Sequence, residues 1–371
     1  MQRFLSLMLT LALLLAGCGQ PTKEPQNLRA KELAIDLGDG FTAKAVLTYP
    51  AEGEGPWPTV ILFHGSGPYD MNATVTTPTG KPLSANFKRL AERLSQEGAA
   101  VLRFHKRGVE AYGKYDREQI ARATTNQLIV DAGRVIAAAR QQPEVDANRI
   151  YLYGWSQGAQ VATHAAQADG AIAGLILQGP PTSGWSETLR YQHLTLGLPL
   201  LASEAIDADQ DGKLAVKEWF SVPAGPASLM GSFYVWAMDS TPMKPKLRPE
   251  LDRNDDKQVD LEGELRPAIE ALVANPAANP SLDPASEPAR SIAQVLPDLS
   301  LPVLVLHGEQ DGWVPVTDGE QVAAAAPERL TLKRFPGLGH ALSPTIDPAQ
   351  DSFGPMADEP IQALIDWLAQ R

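Results

Sequence analysis

The pentapeptide Gly154-Trp-Ser156-Gln-Gly158 constrains this chain more than any other segment. It follows the apolar run Ile150-Tyr-Leu-Tyr153 and opens the helix-compatible stretch Ala159-Gln-Val-Ala-Thr-His-Ala-Ala166. A strand that turns at once into a helix projects the serine hydroxyl from the sheet end, with the Gln157 backbone N–H in the same space. Glycine suits the flanking positions because strand and helix approach too closely for a Cβ. The expectation is a nucleophilic Ser156, the alternative being an ordinary surface turn.

The surrounding sequence alternates strands and helices. Residues 31–37 and 41–49 read as a hairpin about Gly38-Asp-Gly40, and further strands are expected at 58–64, 99–105, 174–179, 302–307 and 330–336. Helices are expected at 84–97, 125–142, 316–326 and 358–370. Short, continuously apolar strands separated by helices predict the α/β class, a mostly parallel sheet covered by helices on both faces. The alternation stops after Pro181, so residues 183–296 read as a largely helical cap insert in a domain made of 31–182 and 297–371. A net charge of −12 over 371 residues argues against a nucleic-acid partner. The densest basic run, Arg103-Phe-His-Lys-Arg107, falls in an expected active-site loop.

A serine hydroxyl needs a base to take its proton, and that base needs an orienting group. His307-Gly-Glu-Gln-Asp311 places Asp311 just beyond a strand, and Gly337-Leu-Gly-His340 does the same for His340. Asp318 is a weaker rival for the acid because it falls in the following helix. At the end of the 58–64 strand, His64-Gly-Ser66-Gly67 offers backbone N–H groups for an oxyanion hole. Ser66 is the expected donor beside Gln157, with Gly67 the alternative, while His64 reads as a group that ties the loop down.

Taken together, Phe63-His-Gly-Ser-Gly67, Gly154-Trp-Ser-Gln-Gly158, His307-Gly-Glu-Gln-Asp311 and Gly339-His340 resemble the α/β-hydrolase superfamily. The chain is most similar to its dienelactone-hydrolase-like and prolyl-oligopeptidase-like branches, over about residues 32–182 and 296–371. The resemblance implies an α/β-hydrolase fold and cleavage of a small-molecule ester or peptide through an acyl-enzyme on Ser156, His340 and Asp311. Catalysis by that triad needs no cofactor. Carboxylic esters are the first expectation, and a peptidase, acyl-amino hydrolase or thioesterase uses the same residues. A non-enzymatic, calcium-dependent binding lipoprotein is the reading from a different class. In Arg103-Phe-His105-Lys-Arg107-Gly108 the chain departs from the family, which usually has an acid where His105 stands. Arg107 is expected to serve as an ion-pair partner rather than a substrate contact.

Met1-Gln-Arg3 and the apolar run 4–15 read as a secretory signal spanning residues 1–17. Leu15-Ala-Gly-Cys18 resembles the lipobox of bacterial lipoproteins, which implies lipidation of Cys18 and membrane attachment through a tether at 18–30. Gly19 resembles the outer-membrane sorting pattern, so the expected location is the cell envelope, at the periplasmic face of the outer membrane in a Gram-negative cell. Cys18 is the only cysteine, so no disulfide forms within the chain.

Inside the insert, Asp207-Ala-Asp209-Gln-Asp211-Gly212-Lys213 and Glu218 match an EF-hand calcium loop. Carboxylates stand first, third and fifth, glycine sixth, and a potentially bidentate glutamate twelfth, while Lys213 supplies its carbonyl. Asp252, Asn254, Asp256, Gln258 and Asp260 repeat part of the pattern, but the sixth residue is Lys257 and the twelfth Gly263. That stretch is either a degenerate partner loop or an acidic turn. Calcium here is expected to be structural.

Overall fold

The computed structural model describes residues 27–77, 80–219, 238–239, 246–275 and 284–371. The expected signal segment, Cys18 and most of the tether lie outside the described residues. Eight strands form the central sheet: β1 (Leu28–Asp36), β2 (Thr42–Pro50), β3 (Trp57–Phe63), β4 (Ala100–Phe104), β5 (Val145–Trp155), β6 (Gly174–Gln178), β7 (Val303–Gly308) and β8 (Leu330–Phe335). Their spatial order is β1-β2-β4-β3-β5-β6-β7-β8. β2 runs antiparallel to both β1 and β4, and every pairing from β4 across to β8 is parallel. The chain leaves β3 toward β4 on one side and leaves β5 toward β6 on the other. Their C-terminal ends therefore flank a crevice at the point where the strand order reverses.

Two hydrophobic layers explain why the strand sequences lack polar alternation. Side chains point to opposite faces in turn, so Ile61, Phe63, Val303 and Val305 fall in one layer while Val60, Leu62, Leu304 and Leu306 fall in the other. The first layer is covered by α2 (Thr125–Arg140), α3 (Gln157–Asp169) and α4 (Val316–Ala325). The second is covered by α1 (Asn86–Gln96) and α5 (Asp358–Leu368). Each helix buries an apolar stripe, as Phe87, Leu90 and Leu94 do on α1.

Two boundaries differ from the sequence reading. β1 begins at Leu28, so residues 28–30, expected in the tether, pair with β2 through Pro50, Tyr49 and Thr48. Ile292 and Leu296, expected within the insert, are buried in the first layer of the main core. Apolar spacing near a junction does not reveal which core a side chain joins.

Residues 198–273 have a hydrophobic cluster of their own, which includes Leu201, Leu214, Trp219, Val259, Leu265 and Ile269. The 183–296 stretch starts with three consecutive helical pieces, Trp185–Arg190, the π-helical Tyr191–Gly197, and Leu198–Leu201. It is fastened to the loop after β7: the Tyr191 hydroxyl donates to the Asp311 carbonyl at 2.9 Å, and Gln192 Nε2 donates to the Trp313 carbonyl at 2.9 Å.

Arg107 joins the first layer's helices to the sheet. Its Nε and Nη2 donate to the two Asp131 carboxylate oxygens of α2 at 2.7 and 2.5 Å, and Nη2 also donates to the Leu37 carbonyl at 2.7 Å. Both side chains are buried, so removing one partner strands the other charge. Asp131→Ala should lower the unfolding free energy by on the order of 3 kcal/mol. Urea denaturation of the two proteins checks this, and an unchanged midpoint would refute it.

Candidate active site

Ser156 sits between β5 and α3 with φ 56° and ψ −122°, a conformation that costs a non-glycine residue about 1–3 kcal/mol. Close packing holds it there. A methyl group on Gly154 would collide with the Gly158 backbone, and one on Gly158 would collide with the Phe63 carbonyl. β3, β5 and the first turn of α3 thus touch through bare backbone. The Ser156 N–H donates to the Gln178 carbonyl at 2.9 Å, which fixes the turn to the end of β6.

The structure brings Asp311 and His340 together. His340 Nδ1 lies 2.7 Å from Asp311 Oδ2, and both residues are buried. Asp311 Oδ1 accepts from the Trp313 and Val314 N–H groups, each at 2.8 Å. Burial opposes the Asp311 charge, but His340, His307 and their hydrogen bonds outweigh it and hold the carboxyl well below its ordinary range. Gly179, with φ 51°, completes the pocket for this pair: a Cβ there would lie 2.8 Å from His340 Nδ1 and 3.1 Å from Asp311 Oδ2. Ser156 and His340 line the same cavity, and no hydrogen bond joins their side chains among the described residues.

The opposite wall is the turn after β3. Gly65, Ser66 and Gly67 line the cavity together with Gln157. Lys106 Nζ donates to the Gly65 carbonyl at 2.7 Å and to Gln157 Oε1 at 3.0 Å. In a trans peptide the C=O and the next N–H point to opposite sides, so anchoring the Gly65 carbonyl aims the Ser66 N–H away from Lys106. The lysine is buried and makes no ion pair among the described residues; burial lowers its pKa to about 7.

Other sequence candidates fall outside the proton path. His64 Nε2 donates to the Asp70 carbonyl at 2.9 Å, and burial, then the Lys106 charge, lowers its pKa to about 3. That histidine is a neutral strut. His105 Nδ1 accepts from the Met71 N–H at 3.0 Å. Asp318 accepts from the Thr182 and Ser183 N–H groups at 2.8 and 3.3 Å, at the start of the insert and away from His340.

Three residues at the site went unread in the sequence. Gln178 fixes Ser156 through its carbonyl and donates from Nε2 to the His340 carbonyl at 2.7 Å. Lys106 carries no recognisable spacing signal. Asp351 accepts at Oδ2 from the His340 and Gly312 N–H groups at 2.7 and 3.0 Å, buttressing the histidine loop from behind. All three bond to backbone groups, Lys106 to the Gln157 side chain as well, and side-chain motifs do not reveal such contacts.

The cavity measures about 460 Å³, and the surface of its wall is mostly apolar. Trp155, Trp313 and Phe353 come from the main domain, and Trp185, Leu189 and Leu272 from the 183–296 segment.

In that segment, carboxylate oxygens of Asp207, Asp209 and Asp211 lie within 4.8 Å of one another, a donor set suited to a hard cation. Glu218 is buried, with Oε2 accepting from the Ala215 N–H at 2.9 Å and Oε1 without a partner among the described residues. Lys213 Nζ reaches Asp256 at 3.3 Å. Asp252, Asn254, Asp256, Gln258 and Asp260 form the neighbouring loop.

A family model described as the alpha/beta hydrolase family matches residues 60–351. Esterase EstD of Thermotoga maritima is 30% identical over 169 residues, which are 46% of this chain and 36% of the relative. The match thus spans little more than a third of that relative's length. Similar solved structures include proline iminopeptidase of Mycobacterium smegmatis, with a TM-score of 0.52, 16% identity and coverage of 92% of this chain and 98% of that one. Alpha/beta hydrolase GrgF of Penicillium has a TM-score of 0.50, 17% identity and the same two coverages. At such identities these structures speak to the fold alone.

Asp351 gives the site a pH signature. Burial, then the Asp311 charge, raises its pKa to about 7, against the two N–H donors. The folded protein therefore keeps a proton that the unfolded chain releases near its ordinary value of 3.8. The resulting stability is full below that value and is lost as the pH rises through about 7. The thermal midpoint of Asp351→Asn should consequently fall less than that of the wild type between about pH 5 and pH 8. Equal slopes in a calorimetric pH series would refute the assignment.

Proposed function

Since the chain belongs to the alpha/beta hydrolase family, we propose that it is a serine hydrolase acting on carboxylic esters. The observation that carries this reading is the opening of the strained Ser156 turn, the His340 ring and the Gly65–Gly67 turn onto one cavity. Ser156 Oγ attacks the ester carbonyl carbon while His340 Nε2 takes its proton. The oxyanion is held by the Ser66 and Gln157 N–H groups. His340 then gives the proton to the leaving alcohol, and water, deprotonated by the same ring, releases the acid from Ser156. Asp311 fixes the Nδ1–H tautomer and stabilises the imidazolium. None of these steps routes through a metal.

The aromatic and aliphatic lining supports an apolar acyl group as the preferred substrate part. Glu287 favours a second reading. It is the only carboxylate among the cavity's described lining residues, and its carboxyl is pushed up by burial. An amide substrate with a free amine could use it as an anchor.

On this reading the 183–296 segment is a cap that shapes the acyl pocket. A calcium ion at Asp207, Asp209, Asp211, the Lys213 carbonyl and Glu218 offsets their mutual repulsion and orders it. The apolar run ending in Leu15-Ala-Gly-Cys18 supports attachment to a cell-envelope membrane through lipid on Cys18. No helix among the described residues is long and apolar enough to cross a membrane.

Ser156→Ala should remove hydrolysis of short p-nitrophenyl esters by at least about a thousandfold, with little change in thermal midpoint. Retention of more than a few per cent of turnover would mean that another nucleophile acts. Faster cleavage of aminoacyl-anilides than of esters would favour the amine-anchored reading.

Cys18→Ser should shift the protein from the detergent phase to the aqueous phase on Triton X-114 partitioning. Wild-type protein found only in the aqueous phase would sink the lipid anchor.

A further inference from the structure

The second acidic loop of the cap lacks the motif's sixth-position glycine and twelfth-position glutamate, yet its backbone repeats the first loop. The fourth and sixth positions are left-handed in both: Gln210 and Gly212 at φ 57° and 78°, Asp255 and Lys257 at 58° and 70°. The first-position carboxylate accepts from the sixth-position N–H in both, Asp207 from Gly212 at 3.0 Å and Asp252 from Lys257 at 3.2 Å. The fifth accepts from the seventh, Asp211 from Lys213 at 2.8 Å and Asp256 from Gln258 at 2.9 Å. The eighth residues, Leu214 and Val259, are partners in the antiparallel bridge between Lys213–Ala215 and Gln258–Asp260.

Within the loops the fifth-position N–H differs, Asp211 donating to Asp207 Oδ1 at 3.2 Å and Asp256 to Asn254 Oδ1 at 3.0 Å. After the ninth position the exits differ, and one extra residue accounts for that difference. In the first loop the Ala215 N–H donates to Glu218 Oε2 at 2.9 Å; in the second the Asp260 N–H donates to Glu264 Oε2 at 3.0 Å. Glu264 stands thirteenth. The first loop exits into an α-helix, Val216–Trp219, whereas the second exits into a π-helical turn, Leu261–Leu265. A π turn holds one more residue per hydrogen-bonded ring than an α turn. The insertion is absorbed there, and Glu264 arrives where Glu218 stands in the first loop.

We infer that Asp252–Glu264 is a second site for a hard divalent cation, with Glu264 taking the part of the missing twelfth-position glutamate. The inference rests on the reading of the first loop as a calcium site. Asp252 is 9% exposed, and its Oδ1 has no hydrogen-bond partner among the described residues, although Oδ2 is tied inside the loop. A buried, bare carboxylate oxygen is costly, and a cation is the partner that satisfies it. The remaining donors are the Asn254 and Asp256 side chains and the Gln258 carbonyl, while Asp260 caps the exiting helix by accepting from the Glu262 and Gly263 N–H groups. Glu264 Oε1 accepts from the Arg253 N–H at 3.1 Å, which holds the glutamate against the loop's start. The Lys257 ammonium is largely exposed and paired with Asp255. Lys213 shares Asp256 across the bridge, so filling one loop affects the other.

The test is calorimetric titration of calcium chloride into the chelator-stripped full chain and into Glu218→Gln, Glu264→Gln and the surface variant Asp256→Ser, with fold checked by circular dichroism. The expected result is two ions per wild-type chain, one in Glu264→Gln, and one site weakened about tenfold or more in Asp256→Ser. Should Glu264→Gln not fold, Asp256→Ser decides. A single wild-type ion that is lost in Glu218→Gln and unaffected in Glu264→Gln and Asp256→Ser would overturn the second site and leave the first standing. A single ion lost in Glu264→Gln but kept in Glu218→Gln would support the second site and overturn the first. No binding at all would overturn both.

Discussion

The contact of bare backbone among β3, β5 and α3 is the constraint on which the candidate site depends. Gly154 and Gly158 let the first turn of α3 rest on Gly154 and on the Phe63 carbonyl. That seating forces Ser156 to positive φ and brings it beside Gly65, whose Cβ position lies 3.2 Å from Ser156 Cβ. Ser156 and the Gly65–Gly67 turn are therefore set by one packing event, at the crevice where strand order reverses. The energy of the strained residue is small beside the apolar burial on either side of the sheet, where a single leucine contributes roughly 1.5–3 kcal/mol.

Much of this was legible in the sequence, for definable reasons. Strands such as Val303–Gly308 are apolar throughout because both faces are covered, and that pattern is distinct from a half-exposed strand or an amphipathic helix. Asp311 and His340 follow such strands directly, so topology alone carries them to one end of the sheet. Asp318 was separable from Asp311 for the same reason: it belongs to α4, one turn later. What stayed hidden depends on backbone groups or on distant partners. Asp351 follows no strand and approaches His340 only because the chain doubles back after it. Glu264 was hidden by counting, since a one-residue insertion breaks a motif without breaking the geometry. Residues 28–30 join β1 through backbone pairing that their Leu-Arg-Ala sequence does not signal, and the apolar residues of 292–296 fit either neighbouring core.

The cap is not a separate accessory on this geometry. Tyr191 and Gln192 donate to carbonyls on either side of the turn that presents the Asp311 carboxylate, and the same helical stretch leads through Leu198 and Leu201 into the Asp207 loop. Ordering of the acidic loops and orientation of the Asp311 carboxylate are thus connected through one continuous helix and its core. The link runs through packing and hydrogen bonds, so it is graded: loosening the loops weakens the support of Asp311 without removing its ring partner.

Lys106 has a consequence for how the site stores energy. A surface lysine is solvated by mobile water, which must reorient whenever charge appears nearby. Here the ammonium is solvated by two fixed oxygens, those of Gly65 and Gln157, and has no carboxylate counter-ion among the described residues. When protonated, it holds the Gly65–Ser66 peptide dipole in one orientation, so charge placed on the far side of that peptide meets a dipole that need not turn. The fold has completed that reorganisation once, during folding, and every turnover inherits it.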